Sequence, residues 1–78
     1  MDYEEELQQK FDNSQADLAR NDLDHTQTET KLLRHERYSI EWHLCLEKLN
    51  DIEKKRQMIA SRLGFLRIEI EKQKPVYL

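Results

Sequence analysis

From Tyr38 to Ile70 the apolar residues return in alternating steps of three and four: Tyr38, Trp42, Cys45, Leu49, Ile52, Ile59, Leu63, Leu66 and Ile70. Trp42, Leu49, Leu63 and Ile70 take position a of a heptad, and Tyr38, Cys45, Ile52, Ile59 and Leu66 take position d. Arg56 alone interrupts the line, at an a position. A period of about 3.5 residues keeps one face of a helix turned toward a partner helix, so this stretch predicts a coiled-coil seam. The expected partner is a second copy of the chain, in a dimer first and a tetramer second.

A second apolar stripe runs elsewhere on the same helix. At about 100° per residue, Leu7, Phe11, Leu18, Leu32, Leu33 and Ile40 gather on the side opposite the seam, and Met58, Phe65 and Ile68 return to it. With Leu44, the residues Ile40, Met58, Phe65 and Ile68 make a possible second interface for another helical protein. Two architectures hide both stripes. In the first, one continuous helix from about Tyr3 to Lys72, roughly 105 Å long at 1.5 Å per residue, forms a homo-oligomeric coiled coil. In the alternative, the chain bends near Asn21 to Thr26, Thr26 and Glu29 cap a second helix, and the resulting hairpin assembles into a helix bundle. No Gly or Pro marks that bend, so the all-α expectation is the continuous helix, residues 1–74, with 75–78 as a short tail.

The helix should begin at Asp2, whose carboxylate can cap, followed by Glu4, Glu5 and Glu6 where the macrodipole favours them. From Asp12 to Thr30 the propensity falls, because Asn, Asp, Ser and Thr compete for backbone hydrogen bonds. Asn50-Asp51 reads as helix interior, since the heptad passes through it in phase. Gly64 falls on an exposed position. Pro75 prevents continuation past Lys74.

Composition supports long helices in a small chain. Its 78 residues hold one Gly and one Pro, and 37% hydrophobic residues are matched by 37% charged ones, so a compact monomeric core would be marginal. Residues 1–37 carry ten acidic and five basic side chains, a net of −5, while residues 38–78 carry six and eight, a net of +2. Such a rod favours antiparallel or staggered contacts, weakly and in a salt-dependent way. The overall charge of −3 speaks against nucleic acid as a partner, and no run of apolar residues is long enough for a membrane. A single Cys45 and the acidic start suggest a reducing, cytoplasmic setting.

Candidate chemistry is sparse. His43 and Cys45 are metal-ligand types, but two residues apart on a helix they point about 200° away from each other. Cys45 at d would meet its symmetry mate only in a parallel, in-register dimer. Trp42 serves as an aromatic anchor, and Arg56 as a residue that selects register. The run Lys54-Lys55-Arg56 resembles any solvated helix face, and Val76-Tyr77-Leu78 has the pattern of peptides captured by strand addition. No phosphate loop and no nucleophile–base pair is present, so neither enzyme activity nor a cofactor or metal is expected. The heptad period is common to many unrelated helical proteins and points to no one family. The expectation is a structural oligomerisation and interaction module within a larger scaffold, cytoskeletal or adaptor protein. The alternative is an adaptor helix that docks an unrelated protein through its second apolar face.

Overall fold

The computed structural model describes residues 2–73, and within them the chain is two helices: α1, Tyr3–Arg34, and α2, Ile40–Lys72. They lie side by side as an antiparallel hairpin with overall dimensions of 61 × 21 × 16 Å. The continuous rod is therefore corrected to two helices of about half its length. The alternative hairpin has the right architecture and the wrong bend, because α1 runs unbroken through residues 21–26.

The reason lies in where the threonine hydroxyls go. Thr26 Oγ1 donates to the Asp22 carbonyl at 3.1 Å, and Thr30 Oγ1 donates to the Thr26 carbonyl at 3.0 Å. Each hydroxyl bonds back to the preceding turn instead of capping a new one, so residues that look like breakers remain in the helix. The break comes at residues 35–39. His35 is extended, with φ −91° and ψ 148°, and Ser39 N–H donates to the Glu36 carbonyl at 3.1 Å to close a turn.

Tyr38 carries that turn in the left-handed region, at φ 68°. A bulky residue takes this conformation at a cost of about 1–3 kcal/mol, normally avoided by Gly or Asn. Its ring is held by its neighbours: it lies 5.2 Å from the Trp42 ring, centroid to centroid, and the Arg37 guanidinium sits 5.6 Å from its centre. Tyr38 is thus an exposed turn residue and not the first d position of a helix.

Both helices start on a capping side chain. Asp2 accepts from the Glu4 and Glu5 amides, as its place before three glutamates predicts. Ser39 accepts from the Trp42 amide at 3.2 Å. At the other end, α2 stops at Lys72, where the Gln73 amide donates to the Ile70 carbonyl. Residues 74–78, with Pro75 and the Val76-Tyr77-Leu78 motif, lie outside the described residues.

Candidate interaction surfaces

The α2 seam faces α1 of the same chain. Ile52 and Ile59 are buried, and Trp42, Cys45, Leu49, Leu63, Leu66 and Ile70 are partly buried in the same heptad phase. The partner anticipated in another chain is, for these residues, the first helix of their own. On α1 the inward positions are Leu7, Phe11, Ser14, Leu18, Asn21, His25, Thr28 and Leu32, again in steps of four and three. Its most buried members are Leu7, Ser14, Asn21 and Thr28, one every seven residues, so three of four are polar. A search for apolar periodicity passes over such a seam. The phase itself was visible, had small polar residues been admitted as inward-facing.

Asn21 sets the register. Its Nδ2 donates across the interface to the Ile52 carbonyl at 3.2 Å, a buried bond between residues 31 apart in sequence. One heptad either way, this register puts Ser14 opposite Ile59 and Thr28 opposite Cys45, and two heptads away it puts Leu7 opposite Leu66. Ser14 and Asn21 on α1 thereby meet the larger Ile59 and Ile52 of α2 in the middle of the hairpin. No buried side-chain nitrogen or oxygen among the described residues lacks a hydrogen-bond partner. The buried Asn21 amide thus has its partner in the Ile52 carbonyl, which is the condition for tolerating it there.

A charged fringe reinforces the same alignment. Arg56 Nε donates to Asp22 Oδ1 at 2.9 Å, each side chain about half exposed. His25 lies between two carboxylates, with Nδ1 3.2 Å from Glu29 of its own helix and Nε2 3.3 Å from Glu53 of α2. Arg56 at an a position is therefore not a buried orphan; it reaches sideways to a partner on α1.

The second apolar face has no cover in the hairpin. Ile40, Leu44, Met58, Phe65 and Ile68 are 76%, 58%, 67%, 73% and 56% exposed. Leu33 and Tyr38, near the turn, are exposed as well. At about 100° per residue, Ile40, Leu44, Met58 and Phe65 fall within 40° of one line along the outside of α2, with Ile68 at its flank. Glu47, Asp51, Lys54, Lys55 and Arg62 lie on the same side, and among the described residues none of these five is ion-paired.

Other features carry little chemistry. Exposed His43 packs edge-on against Trp42, ring centroids 5.1 Å apart, while Cys45 is a free thiol turned into the seam. The two candidate metal ligands thus serve different sides of α2. No cluster of three or more His, Cys, Asp or Glu among the described residues is arranged to hold a metal ion. A groove at the open end, lined by Asp2, Glu4, Leu7, Gln8 and Ile70, is a broad opening between helix ends, and its acidic groups cap or flank the start of α1. No helix of the described residues is long and apolar enough to cross a membrane. Comparison with protein-family models, with curated proteins and with solved structures gives no match for this chain.

Proposed function

We propose that the chain is a non-enzymatic association module, a helical hairpin that joins copies of itself and so serves as an oligomerising segment of a larger scaffold, cytoskeletal or adaptor protein in the cytoplasm. One observation carries this reading: Ile40, Leu44, Met58, Phe65 and Ile68 are each more than half exposed, while among the described residues the buried apolar side chains are Leu7, Ile52 and Ile59. Fully burying one such side chain contributes about 1.5–3 kcal/mol, so the open face is a large unused source of stabilisation for a hairpin of this size. A chain this small rarely draws more than about 3–5 kcal/mol from a single core, and association is a common remedy.

The placement of the α2 seam narrows the choice of surface. Because α1 occupies that seam, copies would meet through the outside of α2, with Phe65 and Met58 as the large anchors. Sedimentation equilibrium of the full chain from about 1 to 100 μM should give a mass that rises to at least that of a dimer. A mass fixed at 9.5 kDa throughout, with full helicity, would refute self-association. Replacing Met58 and Phe65 together by Ala should lower the mass toward the monomer while leaving the helical signal intact.

A further inference from the structure

The outside of α2 changes character halfway along. Its first half presents Ile40, Leu44, Glu47 and Asp51; its second half presents Lys54, Lys55, Met58, Arg62 and Phe65. Toward α1, Arg56 is paired with Asp22, and Glu53 lies 3.3 Å from His25 Nε2. On the outside, Glu69 and Lys72 near the end of α2 pair with each other at 3.2 Å. That leaves two open anions, Glu47 and Asp51, in the first half and three open cations, Lys54, Lys55 and Arg62, in the second, each half with its own pair of large apolar side chains.

Building on the self-association reading, we propose that a second copy docks antiparallel on this face, about a two-fold axis passing between Ile52 and Glu53. Rotating α2 onto itself about that point sets Asp51 opposite Lys54 of the second copy and Ile40 opposite Phe65 of the second copy. Leu44 then falls between Met58 and Phe65 of the second copy, and Glu47 falls between its Lys54–Lys55 step and its Arg62. Each contact occurs twice, as an isologous interface requires. Parallel, in-register packing would instead set Glu47 against Glu47 and Lys54 against Lys54, like charge on like charge, which disfavours that orientation. The result is a four-helix assembly with the two α2 helices in the middle and the two α1 helices outside. The occupant is a second copy because this face supplies, within one sequence, both the acidic and the basic half of the match.

The test is a pattern swap at exposed positions. One variant carries Glu47→Lys with Asp51→Lys, and the other carries Lys54→Glu with Lys55→Glu. Both should keep the helical signal and weaken self-association at least tenfold, because each makes the face largely of one sign. Mixed in equal amounts they should form a heterodimer, and the chain carrying all four substitutions should regain the wild-type dimer. A wild-type chain monomeric at every concentration defeats the self-association reading and the docking geometry with it. A dimeric wild type whose two variants dimerise unchanged on their own, or whose mixture stays monomeric, overturns the antiparallel face alone.

Discussion

The inward faces of α1 and α2 are both spaced in heptads and differ in chemistry, nearly all apolar on α2 and half polar on α1. On α2 the line is apolar from Trp42 to Ile70 apart from Arg56; on α1 the polar Ser14, Asn21, His25 and Thr28 share the line with Leu7, Phe11, Leu18 and Leu32. Two α2 faces could pair in many registers, because apolar contact has little direction. An α1 face pairs well only where its polar groups find partners, and Asn21 finds the Ile52 carbonyl. Adhesion therefore comes chiefly from α2, and alignment from α1.

The largest effect should come from the apolar side. Ile59 is the most buried apolar residue, 4% exposed, and Ile59→Ala should cost about 2–4 kcal/mol, enough to leave much of a small hairpin unfolded in a thermal melt followed by circular dichroism. If α1 supplies alignment at the expense of stability, Asn21→Leu should raise stability by about 1–2 kcal/mol and lose the fixed register. Spin labels at Gln9 and Ser61 would then give a broadened distance distribution where the parent chain gives a single narrow one. Gly64 is a control outside both faces, since a Cβ there meets nothing within 4 Å. Gly64→Ala should add about 1 kcal/mol through helix propensity, a rise of about 4–8 °C in melting temperature for a domain this size. The smallest change belongs to the fringe: Arg56→Gln should cost about 0.2–1 kcal/mol at low salt, and the difference should vanish in 1 M NaCl. A loss of several kcal/mol there would mean that alignment rests on the ion pair more than on Asn21.

The helix class, the Asp2 start and the stop near Lys72 were legible because each follows from local rules of propensity and capping. So was the inward line from Trp42 to Ile70, for a run of large apolar side chains at heptad spacing has few other uses. The turn was not. Residues 35–39 contain neither Gly nor Pro, and the bend rests on Tyr38 at positive φ, held against Trp42 and Arg37. Conversely, Asn21 to Thr26, the bend of the alternative hairpin, is continuous helix as the leading expectation had it, and the hydroxyls of Thr26 and Thr30 bond back to their own helix.

On its own the sequence determined that the chain is helical, that α2 needs a helical neighbour along one face, and that Ile40, Leu44, Met58, Phe65 and Ile68 lie apart from that face. These are matters of period, and period is written in the order of residues. Which helix fills the first need was decided only in three dimensions. Once the chain reverses at Tyr38, α1 lies at high effective concentration beside α2, and its small polar side chains fit at one register. Ile52 and Ile59 are thereby covered from within the chain, and the outside of α2 is left open.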